Sequence, residues 1–108
     1  ERETLDLAEF VVNPISDAAR VFVLGKPGAP INTLDRLEAA TLDSPGNAAI
    51  FRNAADAFRI ALYHQTVAGT PHLAPSALGK LDQRVMKTAF SSILQLLELT
   101  ASTFITPA

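Results

Sequence analysis

The sequence contains no cysteine and no tryptophan, and only one methionine, one tyrosine and two histidines. Without cysteine there is no disulfide framework, no thiolate metal ligand and no cysteine nucleophile. Two histidines leave little from which to build a zinc site. Charge is sparse: nine Lys and Arg stand against eleven Asp and Glu, a net charge of −2. That balance gives no basic face of the kind a general nucleic-acid binder carries. The five glycines, Gly25, Gly28, Gly46, Gly69 and Gly79, fall in no phosphate-cradling frame. No HExxH and no GxSxG occurs, and no Asp-x-Asp pair is present to hold a catalytic magnesium. The chain alone is therefore a poor enzyme candidate.

Long hydrophobic runs are missing too. The most apolar stretch, Ile93 to Leu99, is broken by Gln95 and Glu98 and is far too short to span a bilayer. The chain opens Glu1-Arg2-Glu3, with no apolar run behind a basic start, so no secretory signal is visible and a cytoplasmic setting is expected. It also lacks an initiator Met, and the expectation is a piece of a longer polypeptide. What is present is apolar: 48% of the 108 residues are hydrophobic, which suits one domain with a single core and disfavours disorder.

Seven prolines punctuate the sequence at Pro14, Pro27, Pro30, Pro45, Pro71, Pro75 and Pro107. Proline inside a helix removes a donor and clashes with the preceding turn, so long helices belong in the Pro-free spans 46–70 and 76–106. Strand-like alternation never persists. A first helix is expected from Asn13-Pro14 to Gly25, with Asn13 as cap and Ile15, Ala18, Ala19, Phe22 and Val23 inward. Residues 4–12 read equally as a short helix or an extended lead-in. After a turn over Lys26–Ile31, Asn32 or Thr33 caps a short helix to about Ala40, with Leu34, Leu37 and Ala40 inward. The loop Asp43–Asn47 follows.

A third helix is expected over about Ala48–Ala68, with Phe51, Ala54, Ala55, Phe58, Leu62 and Gln65 as its stripe and Gly69-Thr70-Pro71 as its stop. A fourth runs from about Gly79 to Phe104. Its main stripe is Leu78, Leu81, Val85, Ala89, Ile93, Leu96, Leu97 and Phe104. Met86, Phe90, Leu94 and Ala101 widen it beyond what one neighbour needs, leaving a surface for another domain or another copy of the chain. The architecture implied is an all-α, up-and-down bundle of four main helices.

Polar residues set among apolar ones carry the remaining signal. Arg20 lies one turn after Asp17, and Arg36 sits in the Asn32–Leu37 segment. Each reads as a structural tether before a ligand contact. Arg84 and Lys87 lie three apart, as a solvated face or a small cationic patch. His64 and Gln65 end the third helix's stripe. They read as a helix-end histidine with a hydrogen-bonded amide, or as the polar floor of a cleft between the third and fourth helices. Arg59 and His64 also fall in an Arg-x4-His frame that resembles the active-site motif of HEPN-type ribonucleases. Residues five apart on a helix diverge by more than a right angle, however, and Ile60 stands where those enzymes carry a polar residue.

Four blocks in order resemble a known family. They are Pro14-Ile15 with Ala18-Ala19-Arg20; Asn32-Thr33-Leu34-Asp35-Arg36-Leu37; Leu62-Tyr63-His64-Gln65 with Gly69; and Leu78, Leu81-Asp82, Met86-Lys87, Ala89-Phe90 and Ile93. Together, over about residues 5–104, the chain resembles the nucleotidyltransferase substrate-binding domain. In bacterial signalling proteins this domain follows a nucleotidyltransferase-like domain, often with CBS or cyclic-nucleotide-binding domains ahead of both. The resemblance implies a non-catalytic C-terminal helical domain that packs on the nucleotidyltransferase domain and helps form its acceptor cleft. It implies Arg20, Arg36, His64, Gln65 and Lys87 as substrate-binding positions, and no cofactor here, since magnesium and nucleotide would belong to the neighbouring domain. A homodimer is the alternative partner. Ala61 stands where the family pattern carries a second Arg, and Gly79 where it has a Ser cap.

Overall fold

The computed structural model describes residues 5–73 and 80–105, an all-α bundle. Its main elements are α1 (Asn13–Val23), α2 (Thr33–Asp43), α3 (Ala48–Ala68) and α4 (Lys80–Thr100). Two two-residue strands, β1 (Leu5–Asp6) and β2 (His72–Leu73), pair antiparallel, with Leu5 opposite Leu73 and Asp6 opposite His72.

The lead-in before α1 resolves into both of its readings. Residues 5 and 6 are extended, and Ala8–Val12 form a π-helical turn running straight into α1. Asn13 therefore sits inside continuous helix at φ −67°, ψ −44°, and is not the cap. Its N–H reaches back five residues to the Ala8 carbonyl. Pro14, next in line, has no donor to continue the ordinary ladder, and a wide turn at that point absorbs the break. The capping role falls to Asp6, whose carboxylate accepts the Glu9 N–H at 3.0 Å. The Leu7 N–H bonds the Pro71 carbonyl at 2.8 Å, so the start of the chain is tied to the segment after α3.

Helix α2 begins as its sequence dictates. The Asn32 side-chain oxygen accepts the Asp35 N–H at 2.9 Å, and its amide donates to the Asp35 carboxylate at 2.7 Å. It runs to Asp43, three residues past the expected Ala40. One 3-10 turn, Pro45–Asn47, then delivers the chain to α3. Gly69, at φ +75°, ends α3 by donating its N–H to the carbonyls of Gln65 and Thr66.

Two tethers fix α1 against α2. The Ser16 and Thr33 hydroxyls meet at 2.9 Å near the starts of both helices, and Lys26 pairs with Asp43 near their ends. The 24–32 connection thus runs back along the bundle, and α1 and α2 point the same way. Helix α3 returns antiparallel between α2 and α4. One pole of the bundle is closed by three rings. Phe22 stacks edge-on against Phe51 and against Phe104, each at 5.0 Å between centroids.

The core is continuous across all four helices. Leu7, Val11, Ile15, Leu37, Phe51 and Leu96 are its largest fully buried side chains, each contributing about 1.5–3 kcal/mol by leaving water. Helix α3 contributes mostly small residues, Ala54, Ala57 and Ala61 beside Phe51 and Phe58. Helix α4 contributes Met86, Ala89, Ile93 and Leu96. Met86 is thus a core residue and not part of the spare surface. Leu94, by contrast, is 62% exposed and Leu97 41% exposed. Leu78 and Gly79 lie outside the described residues, as do the side chains of Leu81 and Val85.

Candidate functional site

The helix framework distributes the sequence-predicted positions over the bundle. Arg20, in the last turn of α1, is exposed and lies 3.7 Å from the Asp17 carboxylate, an i, i+3 pair on the helix surface. Both side chains are well over half exposed, so the pair adds little stability. Arg36, in the first turn of α2, is half-buried, and its Nε donates to the Pro30 carbonyl at 2.9 Å. A guanidinium placed there clamps the end of the 24–32 connection onto α2.

His64 and Gln65 lie at the other end of the molecule from Arg20. The ring contact of Phe22 with Phe51 puts the end of α1 beside the start of α3, whereas His64 and Gln65 occupy the last turns of α3. His64 is half-buried, and its ring meets Tyr63 edge-on at 5.4 Å. Gln65 continues the buried stripe of α3, four residues after Ala61. Its side-chain oxygen is fully shielded and accepts no hydrogen bond from the described residues. Buried polar atoms in native proteins nearly always have a partner, so this oxygen marks the end of α3 as a place where a donor is expected. The position where the family pattern carries an Arg, Ala61, is wholly buried and is filled by a methyl group.

Lys87 stands exposed on α4, one residue beyond the core residue Met86. The α3–α4 cleft is lined on α4 by Thr88, Ala89 and Ser92 and on α3 by Ala57 and Ile60, and Lys87 is not part of it. The five positions therefore do not converge on one pocket. His64 and Gln65 are adjacent, while Arg20, Arg36 and Lys87 occupy three other places.

A different groove was not foreseen. Between α2 and α3, a depression of about 670 Å³ has Leu37, Phe51 and Ala55 as its floor. Its rim mixes Arg52 and Arg59 with Asp35, Glu38 and Asp56. Arg59 is held by Asp56 at 3.2 Å. Its pattern was present in the sequence as arginines seven apart, i and i+7, on one face of a helix. The Arg-x4-His frame thus divides between this groove and the far side of α3. Among the described residues no group of three His, Asp or Glu is placed to hold a metal ion. No helix there is long and apolar enough to cross a membrane.

The family model described as "Putative nucleotidyltransferase substrate binding domain" matches residues 1–104. The chain belongs to this family. The match spans all four sequence blocks and every described helix. Neither the curated proteins nor the solved structures contain a match to the chain.

Proposed function

We propose that this nucleotidyltransferase substrate-binding domain is an accessory, non-catalytic module. It packs against a nucleotidyltransferase domain of the same polypeptide and supplies part of that domain's acceptor cleft. Magnesium and nucleotide are held by the catalytic neighbour, and the setting is a cytoplasmic bacterial signalling protein. The family membership supports the first part of this reading. The observation that carries the second is the end of α3, where half-buried His64 adjoins Gln65 with its shielded, unpartnered oxygen. An amide oxygen without a donor costs about 1–3 kcal/mol, a cost that a donor from a docked domain or acceptor would remove. Arg36 and Arg20 act at a distance from that end, by holding the α1–α2 connection and the α1 surface.

The test uses the polypeptide containing both domains. His64→Ala and Gln65→Ala should each reduce transfer to the acceptor while thermal unfolding stays within a few degrees of wild type. Unchanged transfer in both variants would remove the assignment of this end of α3 to the cleft.

A further inference from the structure

Helix α4 carries a second apolar stripe beside the one that faces the core, and the bundle covers it only in part. Met86, Ala89, Ile93 and Leu96 are spent on the core. About a quarter-turn away lie Phe90, Leu94 and Leu97, with Ala101 in the π-helical turn that follows α4, spaced 4, 3 and 4 residues apart. That is the a/d repeat of a helix that packs lengthwise on another helix. Leu94 is 62% exposed, and Leu97, 41% exposed, borders a shallow depression whose far wall is α1 at Asn13, Pro14, Ala18 and Val21.

The charges flanking this stripe decide what it fits. Lys87 and Glu98 are both exposed, and neither forms an ion pair among the described residues. They are eleven residues apart, close to three full turns, so they project from the same side of α4. One is a cation toward the start of the stripe and the other an anion toward its end. A helix with this pattern is complementary to itself turned end for end. With a two-fold axis crossing α4 between Ser91 and Leu94, Lys87 of one copy faces Glu98 of the other, twice. In the same register Phe90 stands level with Gln95 of the other copy, one residue from its Leu94. An unrelated neighbour would impose no reason for the charges to match under that rotation, whereas an isologous interface requires it.

We propose that the outer face of α4 is a dimerisation surface for a second copy of this chain, with the two α4 helices packed antiparallel about an axis between Ser91 and Leu94. The apolar seam supplies the affinity, and the two Lys87–Glu98 pairs select the antiparallel register. This assignment is independent of the acceptor-cleft reading, because it uses neither His64 nor Gln65.

The experiment is sedimentation equilibrium of the 108-residue chain from low to several hundred micromolar, for wild type and four variants. Wild type should show a monomer–dimer equilibrium. Leu94→Glu changes an exposed side chain and should leave the helical signal intact while abolishing the dimer. Lys87→Glu and Glu98→Lys should each weaken dimerisation by about two- to thirtyfold, the sum over two symmetric exposed pairs. The double variant Lys87→Glu with Glu98→Lys should recover most of that loss. A wild type that stays monomeric throughout overturns the proposal, and so does a dimer indifferent to Leu94→Glu. Single variants that weaken the dimer with no recovery in the double would exclude this register and the two-fold arrangement built on it.

Discussion

The three-ring contact at one pole of the bundle makes a quantitative claim about where stability resides. Phe51 is 1% exposed, and Phe104 at the end of the chain's last helical turn is 49% exposed. Both touch Phe22 edge-on at the same distance. Replacing Phe51 by Ala removes a fully buried ring and leaves a cavity among α1, α2 and α3, a loss of about 3–5 kcal/mol. Replacing Phe104 forfeits the same kind of ring contact, about 0.5–1.5 kcal/mol, but only about half the transfer term and no enclosed cavity. Its cost should be about 1.5–2.5 kcal/mol. With a urea slope of about 1.5 kcal/mol/M, the unfolding midpoint should fall by about 2–3 M for Phe51→Ala and by about 1–1.5 M for Phe104→Ala.

Urea titration followed by helical circular dichroism measures both shifts, provided the slope is the same for each variant. A double-mutant cycle on Phe22 and Phe51 should return a coupling of about 0.5–1.5 kcal/mol. Equal midpoints for the two alanine variants, or a coupling of zero, would refute the view that this pole is held by a graded ring cluster centred on Phe22, with Phe51 as its buried member.

The other predictions rest on single contacts. Asn32→Ala removes the cap of α2 and should cost about 1 kcal/mol, read as a lower thermal midpoint, with Asn32→Asp retaining most of the stability. Gly69→Ala should cost about 1 kcal/mol: its backbone is left-handed, and because nothing lies within 4 Å of an added Cβ, the loss is purely conformational. Gln65→Leu should leave stability unchanged or raise it, since the oxygen it removes has no partner to lose. A loss of more than about 1 kcal/mol would show that the amide is satisfied in solution. Lys26→Ala should cost no more than about 1 kcal/mol, because both members of its pair with Asp43 are about half exposed.

The limits of α3 were legible to the residue because Pro45-Gly46 before it and Gly69-Thr70-Pro71 after it are signals that local chemistry enforces. The start of α1 was not. Asn13-Pro14 has the residues of a helix start, but tertiary pairing of Leu5–Asp6 with His72–Leu73 brings the chain in earlier and lets the helix begin before the proline. Nothing within residues 4–12 announces a partner some sixty-five positions away. The same applies to the functional positions. Periodicity placed Gln65 correctly on the buried stripe, yet whether its oxygen meets a donor depends on neighbours that periodicity does not specify. Arg20 is the exception: Asp17 one turn earlier announces its partner, and the two pair on the helix surface at 3.7 Å.

The distribution of side-chain size between α3 and α4 explains why a 48% apolar chain still leaves large hydrophobic residues in water. Helix α3 meets its neighbours through Ala54, Ala57 and Ala61, and α4 answers with Ala89 and with Ser92, whose hydroxyl is returned to the Thr88 carbonyl. Small residues on both sides fill the seam with little volume, and a shallow cleft of about 220 Å³ remains along it beside Ala57, Ile60, Ala89 and Ser92. Rotating α4 to bury Leu94 would withdraw Met86, Ile93 and Leu96 from the core. Leu94 is thus exposed because the inward face of α4 is already occupied, and not for want of apolar residues. Ala57 tests the seam directly: it is 2% exposed and borders the cleft beside Ala89 and Ser92. If its buried side sets the limit, Ala57→Leu strains the core at a cost of about 1–3 kcal/mol by urea titration. A neutral or stabilising result would mean that the added side chain enters the cleft, and the view that small residues are required along this seam would fail.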